Sequence, residues 1–380
     1  MQTRLVPDIA AIAPSAWDAL VGRDDPFVEH AFLQALESSG TVGGDSGWSP
    51  LHVTAWDGGR LVGAIPLYEK AHSYGEFIFD WAWADAAMRV GVPYYPKLVS
   101  MVPVTPATGR RVLLADEVDR DDVVRQLLSG VFEAAEKTRA SSVHLLFLTG
   151  DERSALAADE RLCPRLSHQF HWHNDEYATF DDFLARFRSS IRKQVRKERR
   201  RVDEHGLDVR VLEGPELRDA DWRILRKLYL DTCAKRGSPP YLTSEFFRAI
   251  RETLAHRVVA ALAYREGKAI AASLNFEKGA AIFGRYWGCL EEYEFLHFEL
   301  CYYRLIDRAI ERGMQRFEAG AQGIHKLRRG LMPVPIHSMH WLRDPLLARA
   351  VNEFLPREAF AVQRQMEELA DHGPFRRGEP

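Results

Sequence analysis

Residues 257–276 read RVVAALAYREGKAIAASLNF, and this stretch decides the fold class. Two apolar runs flank a short charged turn around Gly267, which is the signature of a β-hairpin. Residues 51–68, LHVTAWDGGRLVGAIPLY, repeat the pattern with their turn around Gly58. The sequence therefore predicts one antiparallel hairpin in each half of the chain.

Two further features recur in the same order along the chain. Residues 127–148 and residues 300–320 each combine a helical pattern with a following strand. Residues 168–172 (HQFHW) are echoed by residues 337–341 (HSMHW), and an amphipathic helix follows each. Ordered self-similarity indicates an internal repeat. Each copy comprises a hairpin, a strand, a helix, a strand and a last strand, which is a mixed α/β sheet.

The repeat predicts two tandem domains of one α/β fold. We expect an N-terminal domain over residues 1–176 and a C-terminal domain over residues 177–380, which opens with a basic helix. The length of 380 residues also favours two domains. With 46% hydrophobic and 28% charged residues, the composition is that of a soluble globular protein.

Several classes of protein are disfavoured by what the sequence lacks. None of the four cysteines forms a C-x-x-C pair and the His-rich segments have no third ligand motif, so no metal site is predicted. The N-terminus lacks the apolar core of a signal peptide, and no run approaches about 20 apolar residues. We therefore expect a cytoplasmic protein with no integral membrane segment. The net charge of −3 argues against a protein that coats nucleic acid.

The chain resembles a known family over most of its length. The hairpin followed by a strand and a helix is similar to the GCN5-related N-acetyltransferase (GNAT) fold. The doubled arrangement resembles the Fem peptidyltransferases, which attach amino acids from aminoacyl-tRNA to peptidoglycan precursors. More specifically, the chain resembles the FemAB-like family labelled peptidoglycan biosynthesis/recognition. The stretches that carry the resemblance are Phe27–Leu36, His72–Asp85, Pro93–Leu98, Gln169–Asn174, Gly284–Gly288, Leu296–Tyr303 and Phe317–Lys326.

This resemblance implies two tandem GNAT-like acyl-CoA N-acyltransferase domains and the transfer of an acyl or aminoacyl group onto an amine. Single-domain acetyltransferases hold the pyrophosphate of coenzyme A on a Gly-rich turn at a helix N-terminus. The corresponding residues 288–295, GCLEEYEF, contain three carboxylates and no Gly cluster. The sequence therefore predicts weak or no acetyl-CoA binding and favours aminoacyl-tRNA over acyl-CoA as co-substrate. An acetyl-CoA-dependent N-acetyltransferase and a non-catalytic binding module for cell-wall precursor or RNA remain the alternatives.

Residues 186–201, RFRSSIRKQVRKERRR, contain nine Arg or Lys and one Glu. The apolar positions, which recur every four residues, are Phe183, Phe187, Ile191 and Val195. Because solvated helix faces normally mix charges of both signs, this excess indicates a polyanionic partner such as tRNA. A solvated helix face is the alternative. The residues predicted to bind the polyanion are Arg192, Lys193, Arg196, Lys197 and Arg200.

The second half supplies the candidate catalytic residues. Glu299 or Glu318 would accept the proton of an attacking ammonium group. The alternative for Glu299 is a structural ion pair with Arg285 or Lys326. The residues predicted to bind substrate in this half are Arg285, Tyr286, Tyr302, Tyr303 and Lys326.

Residues 79–85, FDWAWAD, place two carboxylates among tryptophans. Asp80, Trp81 and Asp85 are therefore predicted to recognise the amine of a small-molecule or peptidyl substrate. A helix N-cap or a buried ion pair is the equal alternative for the carboxylates.

Overall fold

A computed structural model describes residues 1–320 and 323–376. Two residues of the stretch Phe317–Lys326, residues 321–322, lie outside the described residues, as do the last four residues of the predicted C-terminal domain. The described chain divides into two compact units. The first unit consists of Met1–His168, Tyr241–Phe246 and Pro335–Arg364. The second unit consists of the described residues of Gln169–Pro240, Phe247–Val334 and Gln365–Pro380.

The secondary structure alternates strands and helices throughout. The strands are β1 (Gln2–Val6), β2 (Trp48–Pro50), β3 (His52–Asp57), β4 (Arg60–Ile65), β5 (Tyr68–Lys70), β6 (Lys97–Ser100), β7 (Leu113–Leu114), β8 (Ser142–Leu148), β9 (Cys163–His173), β10 (Asp208–Glu213), β11 (Val258–Arg265), β12 (Lys268–Lys278), β13 (Ala281–Cys289), β14 (Arg316–Glu318) and β15 (Met332–Leu342). The helices are α1 (Pro14–Asp18), α2 (His30–Ser38), α3 (Trp81–Arg89), α4 (Arg120–Thr138), α5 (Gly150–Leu156), α6 (Phe180–Ala185), α7 (Ser189–Glu204), α8 (Asp219–Lys235), α9 (Ser244–Thr253), α10 (Leu296–Phe298), α11 (Arg304–Glu311) and α12 (Pro345–Asp371). A π-helical turn, Glu299–Tyr303, joins α10 to α11, and a 3-10 helix covers Ile324–Arg329.

The described strands of the first unit lie in two sheets, one with the order β1–β3–β4–β7 and another in which β15, β8, β6, β5 and β2 are successive neighbours. Strand β3 pairs antiparallel with β1 and with β4, so the hairpin predicted in residues 51–68 is confirmed. Strand β5 follows β4 after two residues and pairs antiparallel with β6. Helix α4 lies between β6 and β8 in the chain, and these two strands pair in parallel. Strand β15 pairs antiparallel with β8 on its other side.

The second unit has the same order of pairings. Strands β10, β11, β12 and β13 pair antiparallel in succession, which confirms the hairpin predicted in residues 257–276. The helical segment from α10 to α11 then leads to β14, which pairs in parallel with β13. Strand β9 pairs antiparallel with the other side of β14.

Each unit therefore receives its last strand from the other half of the chain. Strand β9 is the last strand of the N-terminal repeat, yet it completes the sheet of the second unit. Strand β15 is the last strand of the C-terminal repeat, yet it completes the sheet of the first unit. The compact units consequently do not divide at residues 176–177, where the sequence places the domain boundary, because the two last strands are exchanged.

Close approach of helix α4 to β3 and β4 explains two glycines. A Cβ added at Gly130 of α4 would lie 2.6 Å from Val53 Cγ1 of β3, and one at Gly63 of β4 would lie 2.6 Å from Val123 Cγ1 of α4. Helix α4 thus packs directly on the first sheet, in a core that also contains Leu127. Burial of one such aliphatic side chain stabilises the fold by about 1.5–3 kcal/mol.

The basic helix differs from the sequence expectation in its start and its buried stripe. Phe183 belongs to α6, and the basic helix α7 begins only at Ser189. The fully buried positions of α7 are Val195, Glu198 and Val202. These positions have helical spacing, so the buried stripe of α7 continues from Val195 through a carboxylate, Glu198, to Val202.

Candidate functional site

Two parallel strands of the second unit separate beside Gly284. Strand β13 pairs with β14 only over Ala281–Phe283 and Arg316–Glu318. Beyond that point β13 continues to Cys289, paired with β12. A Cβ added at Gly284 would lie 3.5 Å from Ala319 Cα, so the backbones are still close where they part. One edge of β13 therefore diverges from β14 beyond Phe283.

The equivalent place in the first unit is filled by the protein itself. Strand β6 pairs with β8 over Leu98–Ser100 and Val143–Leu145. Just beyond, Gly109 N donates to the Phe147 carbonyl at 3.1 Å, and the fully buried Arg111 donates from Nε to the Leu146 carbonyl at 3.1 Å. The candidate site is therefore the opening in the second unit.

Lys326 lies at this opening. Its side chain is 2% exposed, and Nζ donates to the Gly320 carbonyl at 2.6 Å. A Cβ added at Gly320 would lie 3.8 Å from the Gly284 carbonyl oxygen, which places this contact next to the strand separation. Burial lowers the pKa of Lys326 to about 7. The amine is consequently neutral in a large fraction of molecules near neutral pH and can accept a proton.

Two histidines that the sequence reasoning missed lie beside Lys326. His325 Nε2 and Tyr302 Oη are 2.9 Å apart. The His297 ring lies 5.8 Å from the His325 ring and 5.1 Å from the Trp287 ring of β13. Burial lowers the pKa of His297 to about 4 and also lowers the pKa of His325, so both rings are neutral at pH 7. The position of His325 next to Lys326 was the only sequence signal for either residue.

Glu318 ends the paired part of β14. Its carboxylate is buried, with Oε1 3.1 Å from Arg316 Nε and Oε2 3.7 Å from His171 Nε2. Burial, followed by the charge of Arg316, lowers the pKa of His171 well below its usual range. Glu318 therefore lies at the strand separation in contact with a permanent cation.

Glu299 faces away from this cluster. Its Oε1 accepts a hydrogen bond from Arg199 Nη2 at 3.1 Å and lies 2.8 Å from Arg304 Nε. Burial raises the pKa of Glu299, while the two guanidinium groups act in the opposite direction. The structural ion pair considered for Glu299 is thus present, but with different partners from Arg285 and Lys326. The π-helical turn changes which residues share a face, so Tyr302 contacts His325 whereas Tyr303 donates to Glu198.

The two candidates on β13 make local contacts. Arg285 Nη2 lies 3.3 Å from Tyr286 Oη, and the Tyr286 ring packs edge to face against Tyr229 of α8 at 4.9 Å. The aromatic ring of Tyr286 therefore contributes to packing between β13 and α8. Arg285 lies one residue beyond Gly284, on the part of β13 that has separated from β14.

Helix α7 presents its cations to solvent. Arg196 pairs with Asp181 at 2.8 Å, and both side chains are exposed. The other predicted polyanion-binding residues make no ion pair within residues 1–320 and 323–376; they are Arg192, Lys193, Lys197 and Arg200. A helix face with several unpaired cations is a suitable surface for a polyanion.

The inner side of α7 lines a cavity of about 1140 Å³ together with the 3-10 helix and the end of α12. Buried Glu198 accepts hydrogen bonds from Arg329 Nη2 at 3.0 and 2.9 Å and from Gln194 Nε2 at 3.0 Å. This ion pair fixes α7 to the segment that carries Lys326. Sequence reasoning missed Glu198 and Arg329 as a pair because they are distant in the chain.

Asp80 in the first unit is already paired. Its Oδ2 lies 2.5 Å from Lys97 Nζ and accepts a hydrogen bond from Tyr94 Oη at 2.6 Å, and its Oδ1 accepts one from Ser73 Oγ at 2.6 Å. Burial alone would raise the pKa of Asp80, but Lys97 and the hydrogen bonds hold it well below its usual range. The buried ion pair, which was the structural alternative, is what the geometry contains. Trp81 and Asp85 are exposed on α3.

The described residues also bear on the expectations for a membrane segment and a metal site. No helix of the described residues is both long enough and apolar enough to cross a bilayer. Within the same residues, the side chains of His, Cys, Asp and Glu form no group of three that would hold a metal ion.

Solved structures share this fold. A crystal structure of FemX has a TM-score of 0.56 at 12% identity, covering 93% of this chain and 100% of that one. A conserved protein of unknown function from Bacteroides thetaiotaomicron has a TM-score of 0.53 at 12% identity, covering 90% and 100%. L-PGS from Bacillus licheniformis has a TM-score of 0.52 at 12% identity, covering 96% and 99%. At such identities the structural similarity establishes the fold alone, and together with the sheets of the two units it confirms the predicted mixed α/β class.

Sequence comparison supplies the family. No curated protein matches the chain. A model of the FemAB-like family, described as peptidoglycan biosynthesis/recognition, matches residues 8–377. Since that match covers nearly the whole sequence, this protein belongs to the FemAB-like family.

Proposed function

We propose that this protein transfers an acyl or aminoacyl group onto an amine, at the opening between β13 and β14. Family membership and the fold support a transferase of the acyltransferase type. The observation that carries the finer proposal is the opening at Gly284 with Lys326 beside it, while the matching place in the first unit is filled.

Acyl transfer to an amine needs a proton acceptor, because the ammonium form has no lone pair. In the proposed reaction the neutral amine attacks the carbonyl carbon, and its proton passes to Lys326 Nζ directly or through water. The Lys326 ammonium group then gives that proton to the departing oxygen or sulfur as the bond from the carbonyl carbon to the leaving group breaks, so the donor leaves as an alcohol or thiol and Lys326 is neutral again. A pKa of about 7 suits Lys326 for this role. Glu318 is the second candidate acceptor. Glu299 is less suited, since two arginines hold its carboxylate.

The edge of β13 offers a place for the reacting carbonyl. Beyond Phe283, one edge of β13 lies at the opening, and we propose that backbone N–H groups of this edge bind the reacting carbonyl. Such fixed donors stabilise an oxyanion at no cost in reorganisation during the reaction. Arg285, on the same part of β13, is proposed to bind an anionic group of donor or acceptor. Proximity and orientation would supply the remaining acceleration.

We propose that the acyl donor is a polyanion, such as aminoacyl-tRNA, and that it binds to the cationic face of α7. The unpaired cations of α7 support this assignment, as does the segment from Gly288 to α10. A Cβ added at Gly288 would lie 2.5 Å from the Leu228 carbonyl oxygen, so this glycine serves packing against α8. Two of the carboxylates in that segment, Glu291 and Glu294, pair with Arg265 and Arg201. Neither feature resembles a pyrophosphate-binding turn.

The test is a transfer assay with aminoacyl-tRNA or acetyl-CoA as donor and an amine-bearing muropeptide precursor as acceptor. Removal of a general base lowers the rate by about 10²–10⁴-fold, so Lys326→Met is expected to lose at least about a hundredfold in kcat. Lys268→Met, at an exposed hairpin turn, is the matched control and should keep full activity.

Three outcomes would contradict parts of the proposal. Full activity of a folded Lys326→Met protein would remove Lys326 from the mechanism. Transfer from acetyl-CoA but not from aminoacyl-tRNA would favour the acetyltransferase alternative. Binding of cell-wall precursor without transfer from either donor would favour the non-catalytic binding module.

A further inference from the structure

The first unit carries a group of exposed aromatic rings that the proposed reaction does not use. Tyr74 is 58% exposed, Phe79 40% and Trp81 38%. The Trp81 ring lies 5.1 Å from the Tyr74 ring at an interplanar angle of 63°, and 5.8 Å from the Phe79 ring at 22°. Contiguous exposed apolar groups on a soluble protein mark sites of interaction.

A buried cluster of charged and polar side chains holds the chain segment that carries these rings. Ser73, Glu76 and Asp80 alternate with the exposed aromatic residues along the chain. All three contact Lys97 Nζ, at 2.8, 2.9 and 2.5 Å respectively. Lys97 has no exposed surface. The segment is therefore held in one conformation from inside, and the rings are presented to solvent without a further ordering cost on binding.

A carboxylate without a partner lies beside the rings. Asp85 follows Trp81 by one turn of α3, so the two side chains share a face of the helix. Asp85 is exposed and has no hydrogen bond or ion pair with any described residue, including Arg89 one turn further along. The face thus combines π-electron density with one uncompensated negative charge.

We propose that Tyr74, Trp81 and Asp85 form a binding site for an alkylammonium group. Rings inclined to one another beside a carboxylate form part of an aromatic cage, the arrangement that recognises ammonium ions through cation–π attraction. A saccharide-binding surface presents an open aromatic face on which the sugar ring lies flat. Here the Tyr74 ring is inclined to the Trp81 ring, which favours an ammonium ion over a sugar. The ligand class is a primary or quaternary alkylammonium ion. The site is independent of the proposed acyl transfer and stands whether or not that reaction occurs.

The test is calorimetric titration of the full chain with choline chloride and butylammonium chloride. The uncharged isostere 3,3-dimethylbutan-1-ol serves as the probe without a cation. We expect both ammonium ions to bind and the alcohol to bind about two- to fivefold more weakly. Trp81→Leu should weaken choline binding about threefold and Asp85→Asn about twofold.

Matched controls in the same unit are Phe354→Leu on α12, where the ring is 47% exposed, and Asp116→Asn, an exposed carboxylate. Both should bind choline like the unaltered protein, and all variants should keep its melting temperature. Equal affinity for choline and the alcohol, or unaltered choline binding by Trp81→Leu, would overturn the proposal. Binding of N-acetylglucosamine in place of the ammonium ions would identify a saccharide surface instead.

Discussion

Lys326 is the residue at which burial and charge conflict most directly. Among the described residues its ammonium group has one hydrogen-bond acceptor, the Gly320 carbonyl, and the residue is 2% exposed. An ammonium group can donate three hydrogen bonds, so a protonated Lys326 is only partly compensated for the loss of water. Buried ionisable groups with an altered pKa cluster at functional sites, where the altered pKa suits them to accept or donate a proton during the reaction.

The conflict predicts a pH-dependent stability difference between the unaltered protein and Lys326→Met. The folded-state pKa is lowered to about 7, whereas an unfolded lysine titrates near about 10.4. Between these values the unfolded state binds more protons, so stability increases with pH; below about 7 the full cost is present. Denaturation at pH 6 should show Lys326→Met to be more stable by a few kcal/mol, on the order set by about 1.4 kcal/mol per pKa unit. That advantage should vanish by about pH 10. A Lys326→Met protein that is less stable at pH 6 would contradict the lowered pKa.

Sequence reasoning identified polar candidates more reliably than their partners. Glu318 and Lys326 lie at the strand separation, because Glu318 ends β14 and Lys326 lies in the 3-10 helix that follows β14 in the chain. Glu299 and Asp80 are instead held by arginine and lysine residues that are distant in the sequence. Such pairings depend on tertiary packing, which spacing along one chain does not encode.

At the scale of a single element, α7 combines two surfaces with different tasks. Its inner side contributes Glu198, which is bound by Arg329 and Tyr303 and anchors the helix. Its outer side carries Lys193, Lys197 and Arg200 at helical spacing, without ion pairs among the described residues. The composition of the sequence predicts both the helix and its cationic face. The buried carboxylate did not, because a Glu among nine cations looks like a solvated residue.

Charge reversal on the outer face of α7 should weaken polyanion binding without unfolding the protein. The triple variant Lys193→Glu, Lys197→Glu and Arg200→Glu changes only exposed side chains. Each of these substitutions should alter the free energy of unfolding by no more than about 0.5 kcal/mol. Each lost phosphate contact should flatten the log–log salt dependence of tRNA binding by about one unit. The measurement is a tRNA titration across a salt series, with melting temperature in parallel.

The matched control is a variant with the same number of charge-reversing substitutions on another helix of the second unit, α8. Arg223, Arg226 and Lys227 of α8 are exposed and make no ion pair among the described residues. Their change to Glu should leave most of the affinity and the slope intact. Equal losses in the two triple variants would mean that net charge, rather than α7, governs binding.

At the scale of the whole molecule, the repeat is evident in the sequence but its assembly is not. The hairpins, the helix–strand pairs and the echoed HxxHW strands could be read from local pattern. Exchange of the last strands could not, because His171 and His340 occupy equivalent places in either pairing. The strand sequence specifies an apolar face, and both repeats offer a matching edge.

Strand exchange predicts that the N-terminal repeat does not fold alone. Residues 1–176 lack β15, and three of its side chains that pair with β8 are buried: Met339, His340 and Leu342. Loss of the two apolar ones would cost about 1.5–3 kcal/mol each, which is a large share of the whole stability of about 5–15 kcal/mol of a typical domain. His144, whose Nδ1 lies 2.7 Å from His340 Nδ1, would also lose its buried partner. Circular dichroism and thermal melting should therefore show no cooperative transition for the fragment of residues 1–176. Co-expression with residues 177–380 should restore a cooperative transition, because the second fragment supplies β15. A fragment of residues 1–176 that melts cooperatively by itself would show that β15 is dispensable for the first unit.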